Sequence, residues 1–165
     1  MSSLAPCPGC GAVLDVEDGP THAYMLSSPA CWALYGEVMA REYASAALME
    51  VHFLTVDAFA VQHPGSREDR RARQSVWIHL AGLKAVLRDG RTMGHRYDLL
   101  RRLAERKDFP PQPGHEPFAM TCPDMAPLVP DHEHAEGALH WADAALSGYE
   151  RANSNLGSMI EKLSD

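Results

Sequence analysis

Apolar residues recur at three- and four-residue spacing over most of this chain, and that periodicity predicts helices rather than strands. From Pro29 the stripe Trp32, Tyr35, Val38 and Met39 opens a first helix, with Ser28 as N-cap and Pro29 at the first helical position. A break near Ala44 and Ser45 precedes a second helix carrying Met49, His52, Phe53, Val56, Phe59, Ala60 and His63, which Pro64-Gly65 ends. A third runs through Val76, Trp77, Leu80, Leu83, Val86 and Leu87 to Gly90, and a shorter fourth from about Thr92 to Lys107. A last helix, capped by Asp131, runs towards Lys162 on an apolar face of Ala135, Leu139, Ala142, Leu146 and Tyr149, with a kink expected at Ser147-Gly148. Trp32, Trp77 and Trp141 fall on these faces and read as core.

Two stretches escape the helical period. Residues 1–28 read as loop, punctuated by Gly11, Gly19, Pro20 and Ser27-Ser28. Between 108 and 130 the prolines from Pro110 to Pro130 exclude a long helix and favour extended chain, with one turn expected to begin at Thr121-Cys122-Pro123. The expected architecture is therefore all-α, a bundle of four to five helices in a single domain over residues 1–165. It divides into an N-terminal loop (1–31), a helical core (29–107), a Pro-rich segment (108–130) and a C-terminal helix (131–162).

The chain has 165 residues, enough to bury roughly two-thirds of its unfolded surface without many cross-links. Its net charge of −7 removes the basic footprint on which nucleic-acid affinity rests. The basic run from Ser66 to Gln74 reads as a solvated linker leading into the third helix. No run of eighteen apolar residues implies a membrane span. The first residues lack the basic and apolar regions of an export signal, so reduced cysteines in the cytoplasm are expected.

Chemistry concentrates in the N-terminal loop. Cys7-Pro8-Gly9-Cys10-Gly11 is followed by His22 and by Cys31, which lies in the first turn of the first helix. A Cys-x-x-Cys turn with a His and a Cys at loop-scale separation is the ligand set of a closed Cys3His structural Zn2+ site, here a knuckle joined to a helix start. Glycine at positions 9 and 11 suits a tight turn whose N–H groups face the sulfurs, and the helix dipole favours thiolate at Cys31. His22 is taken as the fourth ligand, with His63 or a water as alternatives. A thioredoxin-type redox pair is disfavoured because the flanks read as loop.

The histidines form a second constellation. His52 and His63 share a helix face but stand about 16 Å apart, too far to hold one ion on an unbroken helix. A second site, if built, would draw on His52, His79 and His134 with Asp57 as ligand or orienting partner, and His63 as a further candidate. His95, His115, His132 and His140 read as surface or loop residues. Cys122 reads as an ordinary half-buried thiol. There is no Gly-x-Ser-x-Gly elbow, phosphate-binding loop or His-Glu-x-x-His helix.

Several segments carry a resemblance: Cys7 to Ala12, Ser27 to Trp32, Ala40-Arg41-Glu42-Tyr43, Val51-His52, Leu54 to Ala58, Gln62 to Gly65, and Ser75-Val76 with His79-Leu80. Together they resemble a bacterial family of small proteins of unknown function that open with Cys-Pro-Gly-Cys-Gly-Ala. The match is strongest over the first ninety or so residues, and His134 and Trp141 extend it into the last helix. The resemblance implies that the cysteine set and the core histidines belong to a family pattern, and it implies no activity. The expected function is a zinc-stabilised module binding a protein or small molecule; the alternative is a metal-dependent hydrolase or transferase with a second histidine site.

Overall fold

The computed structural model describes residues 3–165. A two-stranded antiparallel hairpin, β1 (Leu4–Pro6) with β2 (Val13–Asp15), leads into α1 (Pro29–Tyr43), a single 3-10 turn (Leu48–Glu50), α2 (His52–Gln62), α3 (Arg70–Leu87) and α4 (Met93–Ala104). Then come the one-turn α5 (Cys122–Met125), α6 (Asp131–Ala152) and α7 (Leu156–Ser164). Among the described residues the hairpin, with Leu4 opposite Asp15 and Pro6 opposite Val13, departs from the all-helical reading. Strands this short are set by their turn: Cys7 N–H donates to Ala12 O at 2.8 Å and Gly11 N–H to Cys7 O at 2.9 Å, with Gly11 at φ +79°.

Local capping explains most boundaries. Ser28 Oγ accepts from Cys31 N–H at 3.2 Å, Asp69 caps α3 through Arg71 N–H at 2.7 Å, and Thr92 caps α4 through His95 N–H at 3.2 Å. The last helix differs from expectation. It starts at Asp131 with Pro130, not Asp131, in the capping position, and it passes Ser147-Gly148 unbroken. It ends at Ala152, where Asn153 turns to an extended backbone (φ −138°, ψ 95°) while its side chain donates to Tyr149 O (2.8 Å) and Gly114 O (2.6 Å). α7 then starts as a separate helix.

α2 is the hub, packing most extensively on α6 and α3. Trp77, Trp141, Tyr149, Phe59 and Leu80 are fully buried around it. Small residues on α6, among them Ala138, Ala142 and Ala145, let the helices approach closely. Leu139, expected on the buried face, points to solvent at 48% exposure, because the register of α6 is set by Trp141 and its neighbouring alanines. Trp32 is half-buried rather than core.

The Pro-rich segment straps the helix ends. With prolines lacking N–H groups, its carbonyls are met by side chains: Gln62 Nε2 donates to Met120 O (2.8 Å), Trp77 Nε1 to Pro110 O (3.0 Å) and Arg41 Nη1 to Leu128 O (3.0 Å). Among the described residues no helix is long and apolar enough to cross a membrane.

Candidate metal centre and carboxylate–histidine groups

The hairpin turn, the first turn of α1 and the residue ending α2 converge on one buried point. Cys7, Cys10, Cys31 and His63 are all buried, with ligand atoms within 4.8 Å of one another. Cys10 Sγ lies 3.9 Å from Cys31 Sγ, and Cys31 Sγ lies 3.2 Å from His63 Nε2. Ser28 N–H, at the start of α1, reaches Cys7 Sγ at 3.4 Å. His63 Nδ1–H donates to Phe59 O at 2.7 Å, which fixes the tautomer and leaves the Nε2 lone pair facing the sulfurs. Glycine at position 9 makes the approach possible: a Cβ there would stand 2.5 Å from His63 Cδ2 and overlap the Leu26 carbonyl.

The three thiols divide their protons unequally. Cys7 is held far below the ordinary thiol range, because Cys10 and then Cys31 direct hydrogen bonds at it, with His63 and Ser28 adding to them against burial. Cys10 is pushed up, first by Cys31 and then by Cys7 and burial. Cys31 is drawn down by Cys10 but raised on balance by Cys122, Cys7 and burial. Three sulfurs packed this tightly cannot all carry negative charge without a compensating cation.

His22 is not part of this quartet, and its expected role is corrected. Its Nδ1 accepts from Tyr24 N–H (3.3 Å) and Met25 N–H (3.2 Å), so the ring folds the loop instead. Burial lowers its pKa. It packs edge-on at 5.4 Å against Trp32. The spacing of ligands along the chain favoured His22; the tertiary path of α2 brings His63. Cys122 is fully buried, not half-buried, with Sγ 4.0 Å from Cys31 O, and stands outside the quartet.

The other histidines gather around two fully buried carboxylates. Glu42 Oε2 takes His52 Nδ1 at 2.6 Å and Thr55 Oγ1 at 2.8 Å, and Glu42 Oε1 takes His134 Nε2 at 2.8 Å. Asp57 Oδ1 takes His79 Nδ1 at 2.6 Å, and Asp57 Oδ2 takes Arg96 Nη2 at 2.6 Å. Tyr35 is pushed up by burial and next by the negative charge of Glu42. Among the described residues no other trio of His, Cys, Asp and Glu brings its ligand atoms within 4.8 Å. The expected second metal site from His52, Asp57, His63, His79 and His134 is therefore not assembled: His52 and His134 occupy opposite oxygens of Glu42, His79 belongs to Asp57, and His63 to the cysteines. Glu42, Thr55 and Arg96 were not singled out by the sequence. For Glu42 a signal existed, since it continues the inward row of Tyr35 and Val38 at helical spacing. His95, His132 and His140 are exposed as expected, and His115 is half-buried against Phe118.

No curated protein and no solved structure matches the chain. One family model does, over residues 5–150, a span holding the four clustered ligands and both carboxylate–histidine groups. The chain therefore belongs to DUF5946, a family of unknown function.

Proposed function

We propose that Cys7, Cys10, Cys31 and His63 hold a structural zinc ion, and that the chain is a zinc-anchored helical module that binds a partner or small ligand. The observation that carries the reading is a complete four-donor set, gathered from three segments and wholly buried. Thiolate and imidazole donors in a tetrahedral S3N set suit zinc above the hard cations. Zinc–sulfur bonds of about 2.3 Å place tetrahedral sulfurs about 3.8 Å apart; Cys10 and Cys31 stand at 3.9 Å. Four protein donors leave no position for substrate, which marks a structural rather than a catalytic ion. Thiolates in this role require a reducing compartment such as the cytoplasm.

The binding role is supported by the junction of helix ends with the Pro-rich segment. A cleft of about 470 Å³ opens there, floored by Phe109, Pro110, Met159 and Leu163, with Arg106 and Lys162 at its rim. The deciding experiment is zinc content per chain, for protein purified without added metal, before and after dialysis against a mild chelator. One tightly held equivalent is expected, lost in Cys7→Ser and His63→Ala and kept in His22→Ala. Zinc content unchanged by Cys7→Ser would overturn the assignment.

A further inference from the structure

The protonation of the Glu42 cluster can be deduced from a single atom. His134 is fully buried, and its Nδ1 has no hydrogen-bond partner. A buried N–H without an acceptor costs about 1–3 kcal/mol, more when charged, so Nδ1 carries a lone pair and the proton sits on Nε2. Nε2–H then donates to Glu42 Oε1. Glu42 is an acceptor there, and the Thr55 hydroxyl, shared with the His52 carbonyl, approaches its other oxygen. His52 Nδ1, at 2.6 Å from Oε2, is the donor, which leaves the Nε2 lone pair of His52 free. The His52 ring is 19% exposed, and among the described residues its side-chain hydrogen bond runs through Nδ1 and not Nε2.

His79 has the same construction, with Asp57 behind it and a ring 24% exposed. The two differ in counter-charge. Asp57 is already neutralised by the Arg96 guanidinium at 2.6 Å. Among the described residues Glu42 has no Lys or Arg within 4.0 Å, only the two imidazoles. A positive charge arising on His52 therefore meets an uncompensated buried carboxylate, whereas one arising on His79 also meets a cation. Around His52 the surface is apolar and aromatic. Tyr43 lies 5.0 Å away and is 69% exposed, and half-buried Val56 follows one turn along the same face.

We propose that His52, backed by Glu42 and by His134 beyond it, is a general base for hydrolysis of a neutral, apolar carboxylic ester lying over Tyr43 and Val56. Nε2 takes a proton from a water, whose oxygen forms the new bond to the ester carbonyl carbon. The Nδ1–H bond to Glu42 becomes charge-assisted as the imidazolium forms. The carbon–alkoxy bond then breaks and the leaving alkoxide takes the proton back from Nε2, so ester and water give acid and alcohol. The site needs no ion of its own, and the inference stands independently of the zinc-anchored reading.

The test uses the zinc-loaded full chain and p-nitrophenyl butyrate. Since Glu42→Gln puts folding itself at stake, the deciding variants are at the two half-exposed histidines. Hydrolysis by the native chain is expected to exceed that of His52→Gln by about a hundredfold, the low end of general-base effects. His79→Gln is expected to stay within about twofold of native, as the neutralised dyad predicts. Imidazole 15N spectra are expected to show His52 with its proton on Nδ1. Native hydrolysis no faster than that of His52→Gln, equal losses in both variants, or a proton on Nε2 of His52 would each overturn the proposal.

Discussion

Stripping zinc from the folded chain is expected to lower its thermal midpoint by about 15–25 °C. An ion held by the quartet would tie the hairpin to the start of α1 across 21 residues of chain and α1 to the end of α2 across 32. On the chain-entropy account of cross-links, closing loops of those lengths stabilises by about 3.5 kcal/mol each, roughly 7 kcal/mol together. For a chain of this size each kcal/mol moves the midpoint by about 2–4 °C. Helical content is expected to survive below the lowered midpoint, because Trp77, Leu80, Trp141 and Tyr149 are fully buried on α3 and α6, which carry none of the clustered cysteines. The assay is circular dichroism melting at fixed free zinc and again in excess chelator, since apparent stability depends on free ligand. His63→Ala, which loses the ion, should lose both closures and show no shift on chelation, whereas His22→Ala should keep the full shift. A shift below about 3 °C on chelation, or equal shifts in the two histidine variants, would refute the reasoning.

Three further outcomes follow from particular contacts. Gly9→Ala should weaken zinc binding at least about tenfold in competition with a chromophoric chelator, because the new Cβ would crowd His63 Cδ2 at 2.5 Å; unchanged affinity would mean the turn can shift freely. Gln62→Leu should cost about 2–5 kcal/mol in urea unfolding with an unchanged slope. It strips the Trp141 indole N–H and the Met120 carbonyl, each now held at 2.8 Å, of their buried partner. Above about pH 10 stability should fall as pH rises. Burial pushes the Tyr149 phenol up, so the folded state keeps a proton the unfolded state gives away; that contribution is complete below the ordinary tyrosine value and lost above it. Tyr149→Phe should flatten this decline by up to about 1.4 kcal/mol per pH unit, and an identical slope in both proteins would contradict it.

What could be read from the sequence was what short-range chemistry decides. Ser28-Pro29 announces α1 and places Cys31 in its first turn, and the structure has the expected cap. The Cys7 to Cys10 turn declares its donors by spacing alone. Which imidazole joins the cysteines depends on where α2 ends in space, which no spacing rule reaches, so nearby His22 looked better than distant His63. The hairpin escaped notice because three-residue strands have no period to detect; their pairing follows from the knuckle turn. An extended backbone at Asn153 separates α6 from α7, where the apolar stripe runs on regardless. Glu42 was overlooked for a related reason: a carboxylate on an amphipathic helix reads as solvent-facing, and only the arrival of His52, Thr55 and His134 from other helices makes its burial affordable.

α2 also joins the two chemistries. Its first residue is His52, Thr55 and Asp57 follow, and the residue just past its last turn is His63. Between them Phe59 is stacked on both faces, at 3.8 Å by the His63 ring and at 3.9 Å by the Tyr35 ring of α1. Phe59 also supplies the carbonyl that holds His63 Nδ1–H. α1 meanwhile carries Cys31 at one end and Glu42 near the other. The Cys31–His63 contact at 3.2 Å thus joins the two helices at one end, where an ion would bridge them, and the Glu42 hydrogen bonds to His52 and Thr55 join them at the other, with the aromatic stack between. α1 and α2 therefore meet at two points. This geometry is what holds a buried carboxylate against imidazoles on other helices at 2.6–2.8 Å, a distance that a single point of attachment would leave free to vary.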